Sequence, residues 1–313
     1  MYIDKDAPVF THSFFEDGEY DVKWSVVKNI AGYQMQVNGD EYGWHIHGGS
    51  LDVSEIDLAC KDLTVYFCMD MNFNDAFAHW FYESFIFINY VLKCKETYPN
   101  TRILCRTRRT YKLTFPAHFG IEVEYGVSDR NNLAFFPEFV SYSNDVQCSE
   151  KYKKLVEQLY AKFAYAPAYA PAYAPDKTIP ITFLPRQSRE NHHGRQYDCS
   201  TIFEYVQQNE DNIILQTDML SSLQEQLQTL QTSKVIILTE GSPYLVNGLF
   251  ATDSTIIVLG DIVERQAETY KKFRFISDFI AKHNKVNCVK STRFNSFGQF
   301  DSGFHIDQIL EFL

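Results

Sequence analysis

No stretch of about 18 uncharged apolar residues occurs in this 313-residue chain, so no segment reads as a membrane-spanning helix. The opening Met-Tyr-Ile-Asp-Lys-Asp-Ala-Pro lacks the apolar run of a secretory signal. Cysteine is sparse and unpatterned: residues 60, 68, 94, 105, 148, 199 and 288 form no Cys-x-x-Cys and no disulfide framework. The expectation is buried free thiols in a reducing compartment, hence a cytoplasmic protein. Positive charge is also in deficit, with 29 Lys and Arg against 40 Asp and Glu and a net charge of −11. Phosphate backbones and anionic membranes must be neutralised by cations, so this balance argues against a general nucleic-acid or membrane binder, and any phosphate site has to be local. Finally, no Asp-x-Asp follows a strand-like run; Asp4-Lys5-Asp6 lies in the N-terminal tail.

What the chain does contain is apolar and aromatic. A hydrophobic content of 45%, with 26 Phe and 20 Tyr, excludes disorder, and the length leaves room for two domains. Asn38-Gly39 between two alternating segments predicts a hairpin, so antiparallel strands open the fold. His45 and His47 share a face of its second strand, without further ligands at a recognisable spacing. Leu63 to Asp70 predicts a buried strand, after which the period becomes helical, with Phe77, Phe81, Phe85, Ile88 and Leu92 as one core stripe ending at Pro99. On that helix His79 and Glu83 are i, i+4 neighbours away from the stripe, where a base and its partner can stand together, or a plain surface ion pair. Arg102, Arg106, Arg108, Arg109 and Lys112 read as a solvated charge run. Strands follow at Gly120 to Tyr125 and Asn131 to Phe136, then a helix from Glu150 to Phe163 with Leu155, Leu159 and Phe163 inside.

Ala-Tyr-Ala-Pro then repeats three times, from Ala164 to Pro175. Proline at every fourth position forbids a regular helix or central strand, so residues 164–177 read as a linker between domains 1–163 and 178–313. Beyond it strands and helices alternate: strands at Thr178 to Leu184, Asn212 to Gln216, Val235 to Leu238 and Thr255 to Leu259, helices at Thr201 to Gln208, from the capping box Ser222-Leu-Gln-Glu225, and at Ala267 to Lys282. That alternation predicts a parallel sheet with ligands at the carboxyl ends of its strands. Glu240-Gly241-Ser242-Pro243 lies at one such end and Arg186 and Arg189 at another. Ser242 suits a helix N-cap, Pro243 the first helical position, and Gly241 a close backbone approach, together a candidate anion pocket. An ordinary turn from strand to helix has the same pattern.

Three segments occur in fixed order: His79-Trp80-Phe81-Tyr82-Glu83, then Leu184-Pro185-Arg186-Gln187-Ser188-Arg189, then Ser221-Ser222-Leu223-Gln224-Glu225-Gln226 leading to Glu240-Gly241-Ser242. This order resembles the family 61 glycosyltransferases, over about residues 72 to 260; each motif alone is weak, and the order carries the likeness. The resemblance implies an α/β fold of GT-B type, with two Rossmann-like domains facing a cleft. It also implies inverting, metal-independent transfer from a nucleotide sugar, with no cofactor beyond that donor substrate. Glu240-Gly241 stands where many members have His-Gly, and Arg195 competes with Arg189 for the second basic position. The linker is also similar to those of proteins of large algal viruses, the chloroviruses, some of which make glycans with enzymes in the host cytosol. On these grounds the expected roles are catalysis by Glu83 or His79, donor binding by Arg186, Arg189, Glu240, Gly241, Ser242 and Asn247, and acceptor binding by Trp44 and Trp80. The expected partners are a UDP-sugar, with UDP-xylose the first choice, and an oligosaccharide or glycoprotein N-glycan acceptor. A glycoside hydrolase, using two carboxyls such as Glu83 and Glu240 about 5 to 10 Å apart, is the first rival, and a non-catalytic glycan-binding protein the second.

Overall fold

Runs of β-branched and aromatic residues form the strands, and the parallel pairing among them follows from the helices that separate them. The computed structural model describes residues 9–10, 23–28, 33–38, 41–46, 63–69, 77–105, 109–125, 132–138, 150–164, 176–185, 196–216, 223–260, 271–291 and 301–313. The chain divides into two units, Met1–Leu155 and Val156–Leu313. Among the described residues no helix is long and apolar enough to cross a membrane.

The first unit contains, in chain order, β1 (Val9–Phe10), β2 (Lys23–Lys28), β3 (Tyr33–Asn38), β4 (Glu41–Ile46), β5 (Thr64–Cys68), α1 (Phe77–Glu83), α2 (Ile88–Thr97), β6 (Thr101–Leu104), α3 (Thr110–His118), β7 (Glu122–Glu124) and β8 (Asn132–Glu138); α4 (Glu150–Ala164) begins in it. Its main sheet has the order β1-β2-β8-β5-β6-β7. The four strands β8, β5, β6 and β7 are parallel, while β2 and β1 add antiparallel strands at one edge. The expected hairpin is present as β3 and β4, with Asn38 opposite Glu41. Phe67 and Phe135 lie opposite each other on β5 and β8 and stack at 5.1 Å.

The helical segment after β5 differs from the single helix expected. It breaks at Ser84 into α1, a 3₁₀ turn (Phe85–Phe87) and α2. The reason is packing: Trp80, Phe81, Tyr82, Phe85, Ile86 and Ile88 are all buried, a wider set than one helical stripe can turn inward. Phe115 from α3 receives Phe77, Phe81 and Phe85 edge-on, at 5.3, 5.5 and 5.6 Å. The charge run is likewise not a solvated face where it is described. Arg102 pairs with Glu122 and Glu124 on the adjacent β7, and Lys112 on α3 is fully buried.

The second unit contains β9 (Ile179–Leu184), β10 (Gln196–Asp198), α5 (Ser200–Gln207), β11 (Ile213–Ile214), α6 (Leu223–Thr232), β12 (Ser233–Thr239), β13 (Thr255–Leu259), α7 (Lys271–His283), β14 (Lys285–Val289) and β15 (Asp301–Gly303). Its five-stranded sheet, ordered β11-β9-β12-β13-β14, is parallel throughout. Numbered within the sheet this is the order 2-1-3-4-5 of flavodoxin-like doubly wound folds. Alternate residues cover opposite faces. Phe183, Ile237, Ile257 and Leu259 join the core with Ile202 and Val206 of α5, while Ile236, Leu238, Ile256 and Val258 are equally inaccessible on the other face. Each such side chain contributes roughly 1.5–3 kcal/mol through burial.

The end of α4 belongs to this unit. Phe163 meets Phe250 edge-on at 4.8 Å, Tyr160 stacks on His283 at 4.7 Å, and Gln231 Nε2 donates to the Phe163 carbonyl. The division falls inside α4, ahead of the Ala-Tyr-Ala-Pro repeat, and the last turns of α4 pack on helical segments of the second unit. Residues 165–175 of the linker lie outside the described residues.

Lys177 ties the strand openings together: its ammonium donates to the Gln231 and Thr252 carbonyls and to Ser254 Oγ. Burial lowers its pKa from 10.5 to about 8, offset in part by Asp253. Lys177→Met should lower stability at pH 7 by about 1–3 kcal/mol, because it strands buried carbonyls. Between pH 8 and 10.5 the unfolded chain holds the Lys177 proton more tightly than the folded one, so wild-type stability rises there relative to the variant. Urea unfolding of both proteins across this range measures the difference, which should widen with pH.

Candidate functional site

In a parallel sheet the crevice for a ligand opens where two adjacent strands send their chains to opposite faces, at the carboxyl ends. In the second sheet that point lies between β9 and β12. Leu184, the last residue of β9, stands opposite Leu238, one residue before the end of β12, so Pro185 and Glu240-Gly241 leave the sheet side by side. Arg186 and Arg189 come directly after Pro185, but they and Arg195 lie outside the described residues.

Glu240 is the best defined polar group at this edge. Its backbone N–H donates to the Leu259 carbonyl, which extends the pairing with β13, and its carboxylate accepts from the Tyr197 hydroxyl at 2.7 Å. Tyr197 is set by β10, which pairs in parallel with β15, and by stacking on Phe304. On the other side Gly260 presses against the same carboxylate. A Cβ at residue 260 would stand 2.5 Å from Glu240 Cγ, Cδ and Oε2, and Gly260 has φ +143°. The half-buried carboxylate thus accepts from the Tyr197 hydroxyl and lies against a bare backbone at Gly260. It can accept hydrogen bonds from ligand hydroxyls, as acidic residues at such sheet edges do from ribose. It does not favour phosphate.

Gly241 and Ser242 lead into a helical segment with Ser242 at its N-cap and Pro243 first in it, as expected, although the segment is not a regular α-helix. Gly241 has φ +83°, a conformation that disfavours a side chain, and a Cβ there would meet only open space. Its requirement is conformational rather than one of crowding. Ser242 is itself helical (φ −58°, ψ −39°) and makes no capping bond; it leads into one π turn, Pro243–Asn247, and then a 3₁₀ turn, Gly248–Phe250. The helical segment that Ser242 opens is thus one π turn and one 3₁₀ turn rather than a regular α-helix. The turn is wide because Tyr244, Leu245, Val246, Leu249 and Phe250 are all buried, with Gly248 within 3.1 Å of Ile280 if it carried a Cβ. Asn247, expected to bind donor, is turned inward at 3% exposure, where its carbonyl oxygen accepts from Gln226 Nε2. It joins the π turn to α6.

In the first unit α1 comes after β5 and carries His79 half-buried, one turn before Glu83 at its last position. The side chain of Glu83 lies outside the described residues, as do those of Trp44 and His45 on β4, where Trp44 is paired with Met35, and all of His47. Trp80, expected to stack on a sugar, is 2% exposed between Phe85 and Tyr111, at 5.1 and 5.3 Å. An indole packed on these rings offers no face to an acceptor. Its Nε1 has no hydrogen-bond partner among the described residues. Among the described residues Cys68, Cys94 and Cys105 are buried thiols, and burial raises Cys94 to about 11 and Cys199 to about 12. Cys288, by contrast, is exposed. Cys60 and Cys148 lie outside the described residues. Among the described residues no three His, Cys, Asp or Glu side chains gather as a metal site would need.

Sequence reasoning missed Tyr197 and Gly260, which hold Glu240. Tyr197 sits in a three-residue strand too short to announce itself, and Gly260 is legible only as a glycine directly after a strand. No protein-family model matches the chain, and no curated protein matches it either.

Gly260→Ala should lower stability by about 1–3 kcal/mol through backbone strain and the displaced carboxylate. Denaturant unfolding of Gly260→Ala, Glu240→Ala and the double variant separates the two causes. If crowding dominates, the double variant loses less than the sum of the single losses. Strain alone gives additive losses.

Proposed function

We propose that the protein is an inverting glycosyltransferase of GT-B type that uses a nucleotide-sugar donor and no metal, with the donor bound by the second unit and the acceptor by the first. The observation that carries this reading is the strand order 2-1-3-4-5, by which the two chain segments singled out in the second half, Leu184-Pro185-Arg186 and Glu240-Gly241, leave neighbouring strands at the sheet's switch point. The family likeness rests on motif order alone.

Chemically, the acceptor hydroxyl attacks the anomeric carbon, the carbon–oxygen bond to the diphosphate breaks, and the hydroxyl proton passes to a base. Charge develops on the departing diphosphate, and Arg186 and Arg189 are the groups assigned to meet it. Glu240 is assigned to hydroxyls of the ribose or the transferred sugar rather than to phosphate, since like charges repel. Glu83 is the assigned base, with His79 one turn earlier as its partner. UDP-xylose is the proposed donor and a glycoprotein N-glycan the proposed acceptor.

UDP should raise the melting temperature, and Arg186→Ala should weaken UDP binding by about 1.5–3 kcal/mol, the range for a hydrogen bond to a charged group. Transfer should survive EDTA. Calorimetric titration and a transfer assay with UDP-xylose measure both, and activity that vanishes in EDTA and returns with manganese overturns the metal-free assignment.

Glu83→Gln should cut transfer by roughly 10²-fold or more, as expected for loss of a general base, while UDP binding is kept. Loss in His79→Gln with normal turnover in Glu83→Gln moves the role to His79. Release of free sugar from an oligosaccharide without nucleotide would select hydrolysis instead.

A further inference from the structure

The amino ends of the second sheet gather cations that the carboxyl-end site does not use. Lys234 near the start of β12, Lys285 at the start of β14, Lys282 at the end of α7 and Lys177 ahead of β9 line an open cavity of about 560 Å³, together with His283 and Asp253. Four lysines and a histidine thus face a single carboxylate, in a chain where acidic residues outnumber basic ones by 40 to 29. An ordinary solvated face of so acidic a protein would intersperse both signs.

The cavity has a firm floor and an unsatisfied rim. In the floor, Lys177 is held by two carbonyls and Ser254 Oγ, Asn284 accepts from the Ser254 N–H, and its amide donates to the carbonyls of Ala251 and Ile280. On the rim, Lys234, Lys282 and Lys285 are exposed, and among the described residues none of them forms an ion pair. Ammoniums converging on one concavity repel one another and focus a positive potential into it. An anion relieves that repulsion. Three exposed ammoniums on separate elements, around a volume larger than one phosphate fills, suit a group of two linked phosphates better than one.

We propose that this cavity is a binding site for a diphosphate group, at the end of the second sheet opposite the strand ends that carry Arg186 and Glu240. The assignment does not rest on the transferase reading. Lys234, Lys282 and Lys285 supply charge, and Lys177 with Asn284 keeps the floor in shape.

The test is isothermal titration of the full chain with inorganic pyrophosphate, with inorganic phosphate as the comparison. The proteins are wild type, the triple variant Lys234→Gln/Lys282→Gln/Lys285→Gln, and Arg186→Ala. The three lysines are exposed and make no ion pair among the described residues, so the triple variant should keep the wild-type fold by circular dichroism. Pyrophosphate should bind the triple variant at least tenfold more weakly than wild type at a site that Arg186→Ala retains, whatever Arg186→Ala removes at the donor site, and that site should lose affinity as salt rises from about 0.05 to 0.5 M, since exposed charges are screened. Equal binding to wild type and triple variant, no binding to wild type, or loss in Arg186→Ala alone overturns the proposal. Inorganic phosphate binding as tightly as pyrophosphate overturns the diphosphate assignment.

Discussion

A sheet whose five strands all run the same way has to be covered on both faces, because every connection between neighbours crosses over one of them. In the second unit that requirement reaches the middle of β12 and β13: Ile236, Ile237, Leu238, Ile256, Ile257 and Val258 are all inaccessible to water. The same requirement gathers the carboxyl ends of the strands at one edge and the amino ends at the other. Apolar covering on the faces leaves only these two edges for polar chemistry. Glu240 with Tyr197 occupies one and the lysine-lined cavity the other.

Polar groups inside this packing are joined in pairs that fix how the coverings sit. Thr182 and Ser233 bridge β9 and β12 through their hydroxyls at 2.6 Å, and Ser233 also donates to the Thr229 carbonyl at the end of α6. Asn284, directly after α7, ties that helix end to Ala251 and Ser254 ahead of β13. Gln226 and Asn247 do the same for α6 and the π turn. Buried amides left unpaired would each cost about 1–3 kcal/mol, so these pairs specify register and helix position more than they add net stability. In this unit Gly241 and Gly260, both with positive φ, then let the chain leave the sheet beside Glu240 without a side chain intruding. The strands are rigid, and the exits are shaped by backbone freedom.

Much of the site was legible from residue order. A β-branched run ended by Glu-Gly-Ser-Pro announces a strand exit, and the structure has β12 ending at Thr239 with Glu240 at the edge. The roles of individual side chains were less legible. Trp80 and Asn247 carry polar atoms that suit a ligand, and in the fold both are spent inside, Trp80 against aromatic rings and Asn247 against Gln226. Lys112 sits in a charge run and is nonetheless buried, because α3 turns Phe115 and Lys112 toward the same interior. A polar or charged residue type states what chemistry is available, not which way it points.

Local pattern determined the elements of this protein. Period-two and continuous apolar runs became β5, β9, β12 and β13, the period of 3.6 became α4, α6 and α7, and the alternating segments on either side of Asn38-Gly39 became the paired strands β3 and β4, since backbone pairing and apolar spacing act over neighbouring residues. Strand order, the break at Ser84, the π turn in place of a regular α-helix, and the meeting of Tyr197, Gly260 and Glu240 were decided by the tertiary structure. Each of these depends on residues far apart in the chain competing for the same buried volume. That competition is settled by close packing across the whole core, and no window of neighbouring residues contains it.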